Sequence, residues 1–223
     1  MRNRARRHPP STSRGKPGGS GASFAGADRA GAKLVTEQEL IVDAICRLNR
    51  SGIAYLLTGA MASNYWGIPR TTHDLDFVVQ LPVESIPKLL DQFRDDFYLD
   101  EQAVRAALTP PYQFNAIDKR SAFKIDFWVL RSDPFEMSMF QRRLNVNLLG
   151  EQTWIATAED AILHKLYWDS LTPSERQIGD AAGIVAVQSD SLDRAYLQEW
   201  AGKLGISEEL DKLFSGEIKP KTT

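Results

Sequence analysis

The chain has 223 residues, 43% of them hydrophobic, which is enough for a full core in one domain or in a domain with a helical appendage. A single cysteine, Cys46, excludes an internal disulfide and a cysteine-based zinc site, and it fits a reducing cytoplasm. No apolar run approaches the ~20 residues a membrane span needs, and the first residues lack the apolar core of a secretory signal, so a cytoplasmic protein without a membrane partner is expected.

The net charge of −2 is unevenly spread. Residues 1–33 hold Arg2, Arg4, Arg6, Arg7, Arg14, Lys16, Arg29 and Lys33 against Asp28 alone, a net +7 that leaves −9 for the remainder. The segment is dense in Gly, Ser and Pro and reads as a disordered basic tail. It could hold nucleic-acid phosphates, but a solubilising tail or an upstream extension carries more weight. From Thr36 to Arg50, Leu40, Ile41, Ala44, Ile45 and Leu48 recur at helical spacing until Ser51-Gly52. Ile53 to Leu57 reads as a strand that delivers the chain to Gly59, and Ala60 to Trp66 as a short helix closed by Gly67. Ile68-Pro69 blocks helical continuation and opens a loop.

A strand is expected over Asp74 to Gln80, then a helix from Pro82 to about Arg94. Residues 97–121 are ambiguous, with a helix start at Asp100-Glu101, a Thr109-Pro110-Pro111 break and a strand at Tyr112 to Ile117. A strand over Ala122 to Leu130 and a short helix near Phe135 to Arg142 follow. Val146 to Ile155 gives one or two strands around Gly150, and helices are expected over 157–171, 174–188, 192–204 and 207–214. The pattern is α+β: a mixed β-sheet flanked by helices, then a C-terminal helical portion. The expected division is a tail over 1–33, a domain over 34–156 and a helical portion over 157–223.

Chemistry concentrates on two strands. Side chains alternate with period two, so Asp74 and Asp76 share one face while Leu75, Phe77 and Val79 take the other. Like charges on one strand face repel, and a divalent cation with a preference for hard oxygen ligands removes the objection. Asp126 sits opposite the apolar face of Phe123, Ile125, Phe127 and Val129 in a second strand. If the two strands are neighbours, the three carboxylates converge, an arrangement suited to metal-assisted phosphoryl or nucleotidyl transfer. The bland reading of Asp126 alone is a solvent-facing edge residue.

Gly59-Ala60, Gly67, Arg70, Thr72, Asp74-x-Asp76 and Asp126 together resemble the polymerase-β-type nucleotidyltransferase superfamily, closest to the minimal bacterial branch that includes AbiEii-like type IV toxins. Thr157-Ala158-Glu159-Asp160, Lys165, and Glu175-Arg176 with Asp180 extend the likeness over roughly residues 36–205. The resemblance implies a nucleotidyltransferase fold, Mg²⁺ or Mn²⁺, an NTP substrate and transfer of NMP to an acceptor hydroxyl. It implies Asp74, Asp76 and Asp126 as metal-binding and catalytic residues, with Gly59, Ala60, Ser63, Arg70, Thr72 and Lys165 around the nucleotide. Lys124, Arg176 and Asp180 are second-tier candidates. The acceptor it suggests is tRNA or another RNA, with a cognate antitoxin as protein partner; a small aminoglycoside-like acceptor and a catalytically weak binding module are the alternatives.

This chain departs from the superfamily at Ala60, where Gly or Ser is usual. Alanine offers no hydroxyl to a phosphate, although helix-start N–H groups still can, and Ser63 one turn on could partly substitute. Simpler readings stand beside several candidates. Arg70 could organise its loop by pairing with an aspartate, and His73 should face away from both aspartates as a structural residue. Lys124 could balance Asp126 or touch phosphate. Lys165 could pair with Asp169, and Arg176 with Asp180. Thr157 with Asp160 reads as a helix cap. Tyr65, Trp66, Tyr167 and Trp168 are core aromatics or base-stacking groups.

Overall fold

The computed structural model describes residues 35–220, and the expected basic tail over 1–33 lies outside them. The helix α1 (Glu37–Ser51) starts on a capping box, in which the Glu39 N–H donates to Thr36 Oγ1 at 3.2 Å and the Thr36 N–H donates back to Glu39 Oε2 at 2.9 Å. Its predicted apolar stripe is buried. The chain continues through β1 (Tyr55–Leu57), α2 (Gly59–Trp66), β2 (Leu75–Val79), α3 (Ile86–Phe93), β3 (Phe97–Tyr98), α4 (Glu101–Ala106), β4 (Gln113–Asp118), β5 (Lys124–Val129), α5 (Pro134–Arg142), β6 (Leu144–Leu148) and β7 (Glu151–Ile155). Four helices close it: α6 (Ala158–Leu171), α7 (Glu175–Gln188), α8 (Arg194–Leu204) and α9 (Ser207–Ser215).

The strands form one mixed sheet in the order β3-β4-β5-β2-β1-β7-β6. The pairing that matters is β2 with β5: they are parallel neighbours, with Leu75 opposite Ile125, Asp76 opposite Asp126 and Phe77 opposite Phe127. Period two therefore sends Leu75, Phe77, Ile125 and Phe127 to one face, where all four are buried. Phe127 is the centre of that layer, its ring 5.0 Å from Phe114, 5.6 Å from Phe93 and 5.9 Å from Phe77. Burying each such ring contributes about 1.5–3 kcal/mol. The aspartates are left on the other face, towards α2 and the C-terminal helices.

Two differences from the sequence expectations concern short or terminal stretches. β3 was not anticipated, because two residues cannot display an alternation; pairing with β4 defines it. Asp74 lies one residue ahead of β2 instead of within it. The uncertain stretch before Ile155 is a hairpin, β6–β7, turning at Leu149-Gly150.

The C-terminal helices are fastened to the sheet beside the aspartates. A Cβ on Gly67 would stand 2.7 Å from the Ile184 backbone N, so the missing side chain lets the end of α2 press directly on α7. The Gln188 amide donates to the Trp66 carbonyl at 2.7 Å across the same contact. Thr157 caps α6 as expected, and the buried Asp160 carboxylate also receives the Tyr196 hydroxyl at 2.6 Å, tying α6 to α8. Among the described residues no helix is long and apolar enough to cross a membrane.

Candidate active site

β1 ends at Leu57, and the turn Thr58-Gly59-Ala60 starts α2 beside the aspartate-bearing face of β2. The Thr58 N–H donates to the Asp76 carbonyl at 3.0 Å, which pins the turn to the strand. Gly59 has φ +62, and a Cβ built there would lie 2.1 Å from Asp76 Oδ2. Both the left-handed backbone and the proximity of the carboxylate demand glycine. Ala60 lines the cavity beside it.

The cavity is about 650 Å³, and Gly59, Ala60, Arg70, Asp74, Asp76, Asp126, Lys165 and Arg176 all line it. The three aspartates reach the same cavity but do not stand as a set. Among the described residues, no three His, Cys, Asp or Glu side chains are gathered closely enough to hold an ion together. Asp76 and Asp126 face one another in register, whereas Asp74 is exposed at the rim. Burial pushes the Asp76 carboxyl above its ordinary range, and the Asp126 charge pushes it further. Lys124 Nζ lies 2.8 Å from Asp126 Oδ2, while Asp126 Oδ1 is buried with no hydrogen-bond partner. An unpartnered buried carboxylate oxygen beside a second, half-buried carboxylate is a poor structural device. Hard oxygen donors of this kind fit a divalent cation, so the residues present suit the metal that the sequence implies.

Cations on the helical side are arranged differently. Arg70 donates to both oxygens of Asp180, from Nε at 2.6 Å and Nη2 at 2.9 Å, and Lys165 Nζ lies 2.8 Å from the same carboxylate. The Arg70 backbone is clamped by Asn64, whose side-chain amide accepts from the Arg70 N–H at 3.0 Å and donates to its carbonyl at 2.8 Å. Burial raises the Asp180 pKa, but the hydrogen bond from Arg70 and the charge and hydrogen bond of Lys165 outweigh it and hold the carboxyl below its ordinary value. Asp180 therefore pairs with Arg70 and Lys165, not with Arg176 as the i,i+4 spacing suggested. Lys165 likewise turns to Asp180 instead of Asp169, whose carboxylate accepts from the Ser174 N–H at 2.6 Å. Arg176 lines the cavity and makes no ion pair among the described residues.

Other expected site residues are placed elsewhere. Ser63 is buried within α2, and its hydroxyl donates to the Gly59 carbonyl at 3.1 Å. That internal bond keeps it off the cavity wall, so it cannot stand in for the hydroxyl missing at Ala60. Thr72 does not line the cavity either: its Oγ1 accepts from the Asp74 N–H at 3.2 Å and shapes the approach to β2. Lys124 reaches Asp126 but not the cavity surface. His73 pairs with Glu37 and stacks on Phe123, away from both aspartates. Tyr65, Trp66 and Tyr167 stay out of the cavity.

Several lining residues went unnoticed in the sequence reading: Tyr112, Trp128, His164 and Gln177. Trp128 is two residues after Asp126, so strand alternation alone places it on the same face. Gln177 Oε1 is buried and unpartnered. No sequence signal marks it.

No protein-family model matches the chain, and no curated protein matches it. Among solved structures, it is similar to an antigenic nucleotidyltransferase-like protein from Paracoccidioides brasiliensis, at a TM-score of 0.50 and 15% identity over 83% of this chain and 94% of that one. The fold is that of the nucleotidyltransferases. A weaker likeness links it to the antibiotic-resistance factor ANT(2'')-Ia, with a TM-score of 0.49 and 11% identity over 82% of this chain and 96% of that one.

Proposed function

We propose that the protein is a metal-dependent nucleotidyltransferase that moves an NMP from an NTP to an acceptor hydroxyl. The observation that carries this reading is the in-register pair Asp76 and Asp126, with an unpartnered Asp126 oxygen, set against a glycine turn at a helix start. A Mg²⁺ or Mn²⁺ ion held by Asp76 and Asp126, with Asp74 reaching in from the rim, would polarise the phosphates and acidify the acceptor hydroxyl. The N–H groups at the start of α2 receive phosphate oxygens beside Gly59 and Ala60. Arg176 adds a positive charge not already matched by a carboxylate among the described residues. Arg70 and Lys165, held by Asp180, keep a positive wall behind the phosphates. Asp126 completes the site and helps activate the acceptor hydroxyl, which loses its proton as its oxygen bonds to the α-phosphorus and the α–β bridge breaks to release pyrophosphate.

The finer reading follows the sequence resemblance: a domain over 34–156 with a helical portion over 157–223 that covers the nucleotide, a tRNA acceptor and a cognate antitoxin. The test is incubation with each α-labelled NTP, total tRNA and Mg²⁺, followed by detection of label on the RNA. Transfer lost in Asp76→Asn supports the reading; transfer undiminished in that variant overturns it. The alternative, a nucleotide-binding module without turnover, is favoured by Ala60. It would show as NTP binding without transfer to any acceptor.

A further inference from the structure

The two edges of the sheet are built differently. At one end β3 is only two residues long, Arg94-Asp95-Asp96 run up to it, and Lys119 Nζ lies 5.3 Å from the Tyr98 ring. Short length and nearby charge are the usual protection of an edge. At the other end β6 offers five residues, Leu144-Asn145-Val146-Asn147-Leu148, with no charge and no proline. It has no bulge either, since its residues pair one to one with β7 from Leu144 opposite Ile155 to Leu148 opposite Glu151. Leu144, Asn145 and Asn147 are exposed. A regular, uncharged, exposed edge is a template for another strand.

The hairpin fixes which backbone groups of β6 point outward. Leu149 and Gly150 have φ of +53 and +92, the left-handed values of a two-residue turn. Such a turn makes Leu148 and Glu151 its closing hydrogen-bonded pair. Alternation then turns the N–H and C=O of Leu144, Val146 and Leu148 towards β7, and those of Asn145 and Asn147 away from it. Asn147 Oδ1 accepts from the Gly150 N–H at 3.2 Å, which holds the turn in shape.

The residues of β6 say what fits that edge. Leu-Asn-Val-Asn-Leu reads the same in both directions. A second copy laid antiparallel about Val146 therefore sets Leu144 opposite Leu148, Asn145 opposite Asn147 and Val146 opposite Val146. This register keeps the Leu-Val-Leu rows of both copies on one face and the asparagines on the other. The outward backbone groups of Asn145 in one copy exchange hydrogen bonds with those of Asn147 in the other. The flanking charges favour the same direction. Arg143 precedes the strand, makes no ion pair among the described residues and has a buried Nε without a hydrogen-bond partner, while Glu151 lies just past the turn. Antiparallel pairing brings the Arg143 end of one copy to the Glu151 end of the other, whereas parallel pairing would set like ends together. A contact in which the same strand serves both copies closes on itself as a two-fold dimer.

We propose that β6 is a homodimer interface, where two copies of the chain join their edges antiparallel about Val146 into one continuous sheet. β1 and β7 separate this edge from β2, and no residue of β6 or β7 lines the cavity. Each copy keeps its own site, so the dimer stands or falls apart from the transfer reading.

The test is sedimentation equilibrium of the full chain over a concentration series. A five-residue strand makes a small interface, so the mass should climb reversibly from 25.0 kDa towards twice that value. Asn145→Lys combined with Asn147→Lys sets like charges opposite one another at both asparagine pairs and should raise the dimer Kd about 2- to 30-fold. Asn145→Lys combined with Asn147→Glu sets opposite charges face to face in the same register and should restore association. Both positions are exposed, so the melting temperature of the dilute chain should change little in either variant. In a Cys46→Ser background, Val146→Cys brings two thiols together with Cα atoms about 4.5 Å apart, within disulfide reach, and mild oxidation should link the copies. A chain that stays monomeric up to about 1 mM would overturn the proposal and leave the edge to a strand of another protein. So would a dimer indifferent to the charge pattern, or one whose Val146→Cys thiols fail to link, because its interface would lie elsewhere.

Discussion

On the sheet side of the cavity Asp76 faces Asp126 across neighbouring strands, and one buried Asp126 oxygen has no partner. On the helical side Asp180 is held by Arg70 and Lys165 at once. Both sides place charge in poorly solvated positions, yet the sheet side has one ion pair, Lys124 with Asp126, for two carboxylates, whereas on the helical side one carboxylate is held by two cations. The matched cluster joins α6 and α7 to the loop that leads into β2, which is an architectural task. The sheet-side pair has Lys124 as the ion-pair partner of Asp126 alone and keeps one buried Asp126 oxygen without a partner, which is the feature that the proposed metal site accounts for.

The contrast is open to direct attack, beginning with the aspartate pair. Asp76→Asn should lower transfer by on the order of 10²–10³-fold or more, because an electrostatic contact to the reacting groups is lost. Its melting temperature should be unchanged or higher, since burial and the Asp126 charge both disfavour the ionised carboxylate. A variant that is both inactive and strongly destabilised would make Asp76 structural.

Removing the matched anion should do the reverse to stability. Asp180→Ala leaves Arg70 and Lys165 without their carboxylate, a loss of about 3–5 kcal/mol readable in denaturant melts. The acid limb carries the same information. The folded Asp180 pKa lies below its unfolded value, so its contribution is fully present above about pH 4 and disappears as pH falls through the lowered folded pKa. Wild type should therefore lose stability more steeply in acid than Asp180→Asn.

Gly59→Ala tests the turn between the two sides. The left-handed backbone alone costs about 1–2 kcal/mol, and the added carbon would displace the Asp76 carboxylate, so activity should fall further than stability. The mildest change is Ala60→Ser. A new neutral hydrogen bond to phosphate is worth about 0.5–1.5 kcal/mol, so NTP affinity should rise a few-fold to about tenfold by calorimetry. Ser63 is already bonded within α2 and cannot mask this gain.

How much of this could be read from the sequence depends on the range of the interaction. Period-two alternation within each strand placed Asp76 and Asp126 on their faces, and the apolar runs were strong enough to mark β2 and β5. Helical spacing and breakers outlined most of the described helices to within one or two residues, but the helix expected from Pro82 starts only at Ile86, after a 3₁₀ turn over Val83–Ser85. What alternation cannot specify is which charged groups meet across α6, α7 and the loop after α2. For Lys165 the local i,i+4 partner, Asp169, was the obvious choice, but tertiary packing delivered Asp180 instead. Ser63 was one turn from the right place, yet the helix turned its hydroxyl inward. Trp128 was legible in principle from the same alternation that marked Asp126, whereas the buried Gln177 oxygen depends on how α7 packs.

The central claim is that Asp76 and Asp126 form a metal-dependent nucleotide site. Its most direct test is calorimetric titration of wild type and Asp76→Asn with an NTP analogue whose α–β bridge cannot be cleaved, with and without Mg²⁺. The account predicts binding that requires Mg²⁺ in the wild type and is lost in the variant. Equal affinity in both proteins, indifferent to Mg²⁺, would contradict it.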